Sequence, residues 1–510
     1  MIQMPPRRAL PKICIALGLP DIPRLLEQAR REVEAGENFL EFRLDYVPDP
    51  SAAAKAIRTF LDEYPSCTII ATCRRHQNHG RFNGSIEEQL RILDLAIQNG
   101  ARAIDIEIET AEVAPDRCAA LRTSAQLIVS WHHFETTPPL DPVLKRLRKI
   151  PADVYKIVST ARKPSDMGRM LAASRLSPKI PLVTLAMGEI GFPTRVLSTG
   201  LGAIYTYAAP AHVQGTAAGQ VNARQLRSLY RIDKFTRAGK IFGVIADPVG
   251  HSVSPQVHNR AFQSRRIDAI YVPLLVDANH LRDFFQFATD LPVSGFSVTI
   301  PHKRRVMRYL DHIDPLARRI GAVNTVWRKA GKWRGANTDA AAVSGPLSKL
   351  IALSGATALI IGNGGAARGA ACALTDAGTK VSLTGRNPDR VRALARLTGG
   401  EPLSHEQALT RHFDIVVNAT PVGMWPNVND CIFKDKIPAE IIFDMVYNPL
   451  ETLLIRRAKE QGKQVIPGLK MFIEQAVRQF EIWTGETAPR AVMEAAALDA
   501  LQTKYSGQKK

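Results

Sequence analysis

The chain has 510 residues, of which 45% are hydrophobic, and it carries a formal net charge of +19. This length is too great for one hydrophobic core and predicts two to four domains. No apolar run approaches the roughly 18 residues that a membrane span requires. The basic residues are scattered, with runs only as long as Lys303-Arg304-Arg305, which disfavours a nucleic-acid partner. Small anionic substrates and a phosphorylated cofactor explain the charge as well.

The cysteines and the N-terminal residues indicate the cellular location of the protein. The six cysteines form no Cys-x-x-Cys pair and have no nearby histidine at a spacing that suits zinc. We therefore expect reduced thiols, a cytoplasmic protein and no metal. Three basic residues precede a short apolar stretch at 13–17, as in a secretion signal. Because the stretch is too short and lacks a small-residue cleavage site, we expect it to form a first core strand.

The first 210 residues contain a repeating pattern of strands and helices. Helical patterns such as 86–97, apolar at the 3,4 spacing, separate most of the short β-branched runs. Alternation of this kind predicts a parallel sheet, and eight units predict a closed (β/α)8 TIM barrel, with an open sheet as the competing topology. The eight predicted strands are 13–16, 39–44, 68–73, 103–108, 126–131, 154–158, 182–186 and 203–207.

Polar residues gather at the carboxyl ends of these strands, where such barrels carry out chemistry. Glu41 and Arg43 lie two apart on one strand and therefore on one face. Lys156 is the least expected, because Val154-Tyr155 and Ile157-Val158 flank it in a strand that should be buried. A charged ammonium is costly there. The remaining candidates are Arg74, His132, Arg195, Thr216 and Gln220.

The position of Lys156 indicates a nucleophilic amine. Desolvation and nearby cations favour the neutral amine, which can attack a ketone to give an iminium. The iminium acidifies the neighbouring C–H bond, and His132 is placed to move that proton. Arg195, with Arg74 as a second candidate, would hold a carboxylate. Together these residues predict a Schiff-base lyase that acts on a keto acid.

Six short runs in this half resemble the motifs of the type I 3-dehydroquinate dehydratase family: Glu41-Phe-Arg43, Thr72-Cys-Arg74, Ser130-Trp-His132, Tyr155-Lys156-Ile, Met187-Gly…Arg195 and Ala218-Gly-Gln220. The resemblance implies that Lys156 forms the Schiff base and that His132 is the general acid/base. It also implies substrate contacts from Glu41, Arg43, Arg74, Arg195, Thr216 and Gln220.

One departure from that family lies after Arg74. Many members carry a glutamate a few residues later, before paired glycines, and this chain has Asn78-His79-Gly80 there. The group that orients His132 is therefore open, and Glu107 on the fourth strand is one candidate.

The repeat ends after Leu229 in a polar, basic stretch at 230–239, which we interpret as a linker, and a new strand begins at 240–245. Further on, 357–361 has the pattern of a strand and 368–376 that of a helix. Between them lies the turn Gly362-Asn363-Gly364-Gly365-Ala366-Ala367. A Gly-x-Gly-x-x-Ala turn of this kind lets the backbone approach a pyrophosphate at a helix N-terminus.

The end of the next strand, 380–383, indicates which dinucleotide binds. Arg386 lies 22 residues after Gly364, where an NAD site usually carries an acid for the ribose 2′-hydroxyl. Arg386, with Arg390 behind it, suits a 2′-phosphate instead. A charge-assisted pair contributes about 1.5–3 kcal/mol. The predicted cofactor is therefore NADP.

Four polar clusters precede the glycine turn: His251-Ser252-Val-Ser254-Pro, Gly295 to Lys303, Ala322-Val-Asn324-Thr and Gly335 to Asp339. Hydride transfer to a ketone needs a proton donor and groups that bind hydroxyls, and a Lys–Asp pair supplies them. These runs, with 417–424, 444–449 and 468–475, resemble shikimate dehydrogenase. The resemblance implies Lys303 and Asp339 as the catalytic pair. It implies substrate contacts from Ser252, Ser254, Thr299, Asn324, Tyr447 and Gln475, and NADP contacts from Gly362, Asn363, Gly364, Gly365, Ala366, Arg386, Arg390, Met445 and Gly468.

Two consecutive activities follow from these resemblances: dehydration of 3-dehydroquinate through a Lys156 imine, then reduction of 3-dehydroshikimate by NADPH to shikimate. The predicted domains are a barrel at 1–229, a linker at 230–239, a shikimate-binding lobe at 240–340 and a Rossmann NADP lobe at 341–468. Helices at 469–505 would return to the shikimate-binding lobe. The alternatives are a quinate/shikimate dehydrogenase of broader specificity, a catalytically degenerate first half, and a nucleic-acid-binding protein.

Overall fold

The computed structural model describes residues 9–506 apart from 214, 217, 218 and 251. Two residues of the motifs above, Ala218 and His251, therefore lie outside the described residues. The chain divides into two compact units. The first extends to Gly239 and includes Asn279–Pro292, and the second comprises Lys240–Ala278 and the chain from Val293 onward. Within the described part of the chain, no helix is both long and apolar enough to cross a membrane.

The first unit is built on eight parallel strands. The ladder runs in the order β7-β6-β5-β4-β3-β2-β1-β8. Its two ends meet, because Ile204 N, just before β8, donates to Leu182 O of β7 at 2.9 Å. The predicted barrel is confirmed and the open-sheet alternative is wrong. The strands are β1 (Ile13–Leu17), β2 (Phe39–Arg43), β3 (Thr68–Thr72), β4 (Ala103–Glu107), β5 (Gln126–His133), β6 (Val154–Thr160), β7 (Leu182–Met187) and β8 (Thr206–Ala208).

Helices follow most of these strands. They are α1 (Ile22–Glu34), α2 (Pro50–Glu63), α3 (Ile86–Gln98), α4 (Ile108–Val113), α5 (Pro115–Arg122), α6 (Leu140–Leu147), α7 (Pro164–Leu176) and α8 (Phe192–Leu197). The start of α3 is fixed by a capping box, in which Ser85 and Glu88 each bond the other's backbone N–H. The eighth strand begins later than predicted because Ala203 N is used in the turn after α8, where it donates to Ser198 O. The barrel interior is filled by side chains such as Phe39, Ile70 and Ile128.

The second unit contains two six-stranded sheets. The first has the order β10-β9-β11-β13-β14-β12 and is mixed, whereas the second is parallel with the order β17-β16-β15-β18-β19-β20. The latter is the doubly wound order of a dinucleotide-binding sheet. The strands are β9 (Lys240–Ala246), β10 (Ala269–Leu275), β11 (Val293–Val298), β12 (His312–Ile313), β13 (Thr325–Lys329), β14 (Lys332–Ala336), β15 (Thr357–Ile361), β16 (Lys380–Thr384), β17 (Glu401–Pro402), β18 (Phe413–Asn418), β19 (Ala439–Asp444) and β20 (Gln464–Ile466).

The helices after Gly239 are α9 (Ser254–Ser264), α10 (Leu281–Asp290), α11 (Pro315–Ile320), α12 (Asp339–Leu347), α13 (Gly365–Asp376), α14 (Pro388–Thr398), α15 (His405–Thr410), α16 (Leu453–Glu460), α17 (Gly468–Thr484) and α18 (Arg490–Ser506). The last two pack with α9 and β9 in one apolar core that includes Phe262, Phe480 and Met493. A separate core joins β15, β18 and α13 through Ile360, Val417 and Leu374. The second unit therefore has two lobes, each with its own core.

Candidate active sites

The first unit contains a cavity at the carboxyl ends of its strands. All eight site residues predicted from the sequence in this half contribute to its wall. The lining residues are Glu41, Arg43, Tyr46, Arg74, Asn78, His79, His132, Phe134, Lys156, Val158, Leu185, Met187, Arg195, Tyr207, Thr216 and Gln220.

Lys156 is buried within β6, as its apolar neighbours predicted. Its Nζ donates to Asp105 Oδ2 at 2.8 Å and to Tyr207 Oη at 3.0 Å, and it lies 3.7 Å from Glu41 Oε1. Its nearest charged groups are therefore two carboxylates, and the guanidinium of Arg74 is bound to the same Asp105. Only the neutral amine can act as a nucleophile, so a proton on Nζ must first pass to one of these acceptors.

Asp105 is hydrogen-bonded to two charged groups of the cavity, and it was not among the residues predicted from the sequence. Its carboxylate accepts from Lys156 and also from Arg74 Nη2 at 2.9 Å and Ser130 Oγ at 2.6 Å. Burial by itself would raise the pKa of Asp105, but the charges of Arg74 and Lys156 outweigh burial and hold that pKa well below its ordinary value. A signal was present, since Asp105 is an acid between Ile104 and Ile106 in the middle of a buried strand.

The three arginines of the cavity have different partners. Arg43 makes a two-bond pair with Asp45, at 2.8 and 2.9 Å, and Arg74 is held by Asp105 and Ser130. Arg195 is buried on α8, and burial lowers its pKa to about 10. A cation that burial disfavours gains the most from an incoming carboxylate, so Arg195 is a better candidate for that role than Arg74.

His132 lies on β5 beside the ring of Phe134, with the two rings nearly parallel and 5.8 Å apart. Burial and the charges of Arg74 and Lys156 lower the pKa of His132 well below its ordinary value, so the imidazole is neutral at pH 7 and can accept a proton. Its Nδ1 is buried and has no hydrogen-bond partner among the described residues.

The structure does not support Glu107 as the group that orients His132. The Glu107 carboxylate accepts from Arg75 N at 2.8 Å and from Gln89 Nε2 at 2.6 Å. It therefore anchors the backbone after β3 to α3, and its oxygens are engaged there.

The loop after β3 brings Asn78 and His79 to the same cavity. Phe82 N donates to Arg74 O at 3.1 Å and His76 N to Phe82 O at 2.8 Å, so the loop closes on itself. His79 stacks on Phe134 with the ring centroids 3.9 Å apart. The departure from the family pattern thus lies in the cavity wall, next to the aromatic ring that flanks His132.

In the second unit, Lys303, Asp339 and Asn324 form one hydrogen-bonded group. Lys303 Nζ donates to Asp339 Oδ2 at 2.5 Å, and Asn324 Nδ2 donates to Asp339 Oδ1 at 2.7 Å. The backbone holds them together, because Val323 N donates to Lys303 O at 2.8 Å. Asp339 is buried at the start of α12, whereas Lys303 is half-buried. An exposed face on this lysine lets it reach a substrate.

Ser252, Ser254 and Thr299 lie at the carboxyl ends of the parallel neighbours β9 and β11. Thr299 N donates to Ile245 O at 3.2 Å, and Ser254 N donates to Ser252 Oγ at 3.2 Å. Their side chains therefore share one edge of the sheet. Among the described residues, no hydrogen bond joins them directly to Lys303.

Tyr447 follows β19, and Gln475 lies in α17. Tyr447 stacks on Phe472 at 4.6 Å, and burial raises the pKa of Tyr447 to about 12, so its phenol stays protonated. Gln475 Nε2 donates to Phe472 O at 2.9 Å, and Gln475 O accepts from Thr338 Oγ1 at 3.4 Å. The second contact brings α17 next to the residue that precedes Asp339.

The glycine turn between β15 and α13 has the shape that a pyrophosphate requires. Gly362 has φ = 127°, and a Cβ there would lie 2.9 Å from Ala419 O, so only glycine fits. A Cβ at Gly364 would meet nothing within 4 Å, so this side of the turn is open. The chain continues through Gly365 and Ala366 into the helix, whose first N–H groups have no partner within it.

Other residues fit the rest of an NADP molecule. Arg386 follows β16 and Arg390 lies in the first turn of α14, and both are exposed. Asn363 lies against Gly385, where a Cβ would be 3.2 Å from Asn363 Nδ2. A Cβ at Gly468 would lie 2.8 Å from the carbonyl carbon of Met445, so these two residues adjoin. The open turn and the two exposed guanidinium groups suit a dinucleotide with a 2′-phosphate.

Across the described part of the chain, no group of three or more His, Cys, Asp or Glu side chains could hold a metal ion.

Models of known families match most of the chain. Residues 13–236 match the type I 3-dehydroquinase family, and 244–326 match the shikimate dehydrogenase substrate binding domain. Residues 347–428 match the shikimate/quinate 5-dehydrogenase family, and 468–498 match the shikimate 5′-dehydrogenase C-terminal domain.

Individual proteins align in the same way. A bifunctional 3-dehydroquinate dehydratase/shikimate dehydrogenase of Arabidopsis thaliana, described as chloroplastic, is 34% identical over an alignment of 503 residues, and the alignment covers 94% of this chain and 83% of that protein. An NADP(+) shikimate dehydrogenase of Maridesulfovibrio salexigens is 42% identical over 48% of this chain and 92% of its own. A crystal structure of a shikimate dehydrogenase in complex with NADP+ is 35% identical, with a TM-score of 0.50 over 52% of this chain and 97% of that one.

The fold and sites thus define a two-part enzyme: a barrel with a buried lysine in its cavity, joined to a dehydrogenase with a doubly wound nucleotide lobe. More particularly, the chain belongs to the bifunctional 3-dehydroquinate dehydratase/shikimate dehydrogenase family.

Proposed function

We propose that this chain dehydrates 3-dehydroquinate in its first unit and reduces the resulting 3-dehydroshikimate to shikimate in its second. The observation that carries the first step is the shared cavity around Lys156, which includes all eight nominated side chains of the barrel. Lys156 attacks the substrate ketone, and neutral His132 removes the adjacent proton. Arg195, whose burial an anion would compensate, holds the carboxylate.

In the second unit, the Lys303–Asp339 pair supports the reduction. The Lys303 ammonium donates a proton to the oxygen of the ketone as it becomes a hydroxyl, and Asp339 holds Lys303 in place from a buried position. Ser252, Ser254, Thr299, Asn324, Tyr447 and Gln475 bind the carboxylate and hydroxyls. The glycine turn, Arg386, Arg390, Met445 and Gly468 hold NADP, which supplies the hydride when bound.

The test of the first step is chemical trapping. Borohydride reduction of the full chain in the presence of 3-dehydroquinate should leave a covalent adduct on Lys156, detectable by peptide mass spectrometry. If no adduct forms on Lys156, the dehydratase proposal fails and a degenerate first half is supported. A coupled assay that starts from 3-dehydroquinate and NADPH tests both steps, because shikimate is formed only when the two sites act in sequence.

A second candidate for the reductase half is a broader quinate/shikimate dehydrogenase, since one matching family description names both acids. Steady-state rates with quinate and shikimate, each with NAD and NADP, separate the two candidates.

Three statements remain predictions: a cytoplasmic location, the absence of nucleic-acid binding, and the domain bounds at 229, 239, 340 and 468. Expression with a fluorescent tag tests the first, and filter retention of DNA or RNA the second.

A further inference from the structure

Lys156 has a hydrogen-bond route to a second carboxylate besides Asp105. Lys156 Nζ donates to Tyr207 Oη at 3.0 Å, and Tyr207 Oη in turn donates to Glu41 Oε1 at 3.2 Å. The lysine, the tyrosine and the glutamate are 5%, 3% and 3% exposed, so bulk water has little access to them. A buried chain of donors and acceptors of this kind can move a proton without solvent.

The two carboxylates near Lys156 differ in what else they bind. Asp105 accepts from the guanidinium of Arg74 as well as from Lys156, and these charges hold its pKa well below the ordinary value even though burial opposes them. Glu41 accepts instead from two neutral hydroxyls, Thr72 Oγ1 at 2.7 Å and Tyr207 Oη at 3.2 Å. Asp105 is therefore the counter-charge shared by two cations, whereas Glu41, which lies 3.7 Å from Lys156 Nζ, is the acceptor at the end of the hydrogen-bonded chain.

Tyr207 is suited to pass a proton on. Burial and the negative charge of Glu41 raise the pKa of Tyr207 well above its ordinary value, so the phenol does not stay ionised. Its oxygen can accept one proton only as it releases another. The Lys156 ammonium also lies over the Tyr207 ring, 4.3 Å from the centroid, which keeps the two groups in contact.

We propose that Tyr207 is a further catalytic residue of the barrel site, which relays the proton of the Lys156 ammonium to Glu41 and so releases the neutral amine that attacks the substrate. This inference rests on the proposed dehydratase function. One Nζ–H bond of Lys156 breaks as a new O–H bond forms at Tyr207, and the original phenolic O–H bond breaks as an O–H bond forms at Glu41 Oε1. No electron is transferred. The buried site then contains a neutral amine, phenol and acid in place of two charges, which suits a low dielectric.

The test uses the full chain and measures imine formation directly. Enzyme and 3-dehydroquinate are mixed, quenched with borohydride at short times, and the Lys156 adduct is quantified by mass spectrometry. General acid–base catalysis contributes roughly 10²- to 10⁴-fold. Tyr207→Phe removes the relay but leaves Asp105 beside the amine, so we expect less than the full loss. The variant should form the adduct at least about tenfold more slowly at pH 7. Tyr155→Phe is the matched control, because Tyr155 is a buried tyrosine of β6 whose hydroxyl donates to Ile150 O at 2.8 Å and not to a group of the relay.

A pH series separates the relay from a structural effect. Hydroxide that enters the cavity lined by Lys156 can take the ammonium proton directly at higher pH, so the defect of Tyr207→Phe should shrink as the pH rises from 7 to 9. The other titratable or charged groups around the relay are Cys14, Arg43, Arg74, Asp105, His132 and Tyr205. Burial and the charge of Glu41 raise the pKa of Cys14 well above its ordinary value, and the pKa of His132 is lowered well below its own. Neither group therefore titrates in this range.

Glu41→Gln supplies the second measurement, since the amide still accepts a hydrogen bond but does not take up a proton. We expect Glu41→Gln to slow adduct formation. The double variant with Tyr207→Phe should form the adduct at the rate of the slower single variant, within about twofold, because both changes break the same relay. Equal rates for wild type and Tyr207→Phe at every pH, or effects that multiply in the double variant, would overturn the relay. Absence of any adduct in the wild type would instead remove the dehydratase function on which it rests.

Discussion

Asp105 accepts from two buried cations of the barrel cavity, Lys156 and Arg74, so Asp105→Asn should destabilise the first unit. The change keeps the size of the side chain but removes the negative charge between Lys156 Nζ, at 2.8 Å, and Arg74 Nη2, at 2.9 Å. Breaking a buried ion pair by removing one partner typically costs 3–5 kcal/mol. Because the Ser130 hydroxyl can still donate to the amide oxygen, we expect a loss of about 3 kcal/mol.

Hydrogen exchange followed by mass spectrometry measures this loss unit by unit. A change of about 3 kcal/mol corresponds to roughly 150-fold faster exchange in the most protected peptides, at about 1.4 kcal/mol per factor of ten. The expected effect appears in peptides that contain β4 and β6, and peptides of β15 in the second unit serve as an internal control. Glu63→Gln is the matched variant, because its pair with Arg30 is exposed and such pairs contribute about 0–1 kcal/mol.

The pH dependence of this effect has a definite sign. The pKa of Asp105 is lowered in the folded chain, so its contribution is present above the unfolded pKa of about 4 and is lost as the pH falls toward the folded value. Wild type and Asp105→Asn should therefore differ fully at pH 7 and converge below about pH 4. Protection in Asp105→Asn within twofold of the wild type at pH 7 would refute the view that this carboxylate holds the two cations in place.

Three further predictions concern the second unit. Lys303→Ala should lower dehydrogenase turnover by roughly 10²- to 10⁴-fold while the dehydratase rate is unchanged, and equal loss of both activities would contradict independent sites. Arg386→Asp should weaken NADP binding far more than NAD binding, by roughly 10- to 150-fold in the ratio of dissociation constants for a charge-assisted pair, and an unchanged ratio would contradict the phosphate contact. Burial raises the pKa of Asp444 to about 6, so the folded chain keeps a proton that the unfolded chain loses near pH 4. The contribution of Asp444 to stability therefore falls as the pH rises from about 4 to 6, and Asp444→Asn should flatten that part of the urea-midpoint profile; an unaltered slope would show that another group is responsible.

The strands and helices were predictable because each is encoded by a local pattern. The periodic apolar runs identified all eight barrel strands, and the predicted strand at 357–361 coincides with β15. The barrel and the doubly wound lobe are confirmed. The bounds of the eighth strand were less accurate, because Ala203 is used in a tertiary turn that no periodicity reveals.

The composition of the barrel site was only partly predictable. The eight nominated side chains could be found because they are polar residues at strand ends. Glu107 and Asp105 lie two residues apart on β4, and the sequence reasoning considered only Glu107 as a partner in the site. Glu107 bonds the backbone of Arg75 and the side chain of Gln89, whereas Asp105 meets Lys156 and Arg74.

The sequence by itself determined the two architectures, the buried lysine of β6 and the nucleotide turn, since each depends on residue types at short spacing. Only the tertiary structure decided which groups surround that lysine. Asp105 and Tyr207 each lie 51 residues from Lys156, on strands β4 and β8. Their contact depends on the register and curvature of the barrel, which bring distant strand ends together and which no local pattern encodes.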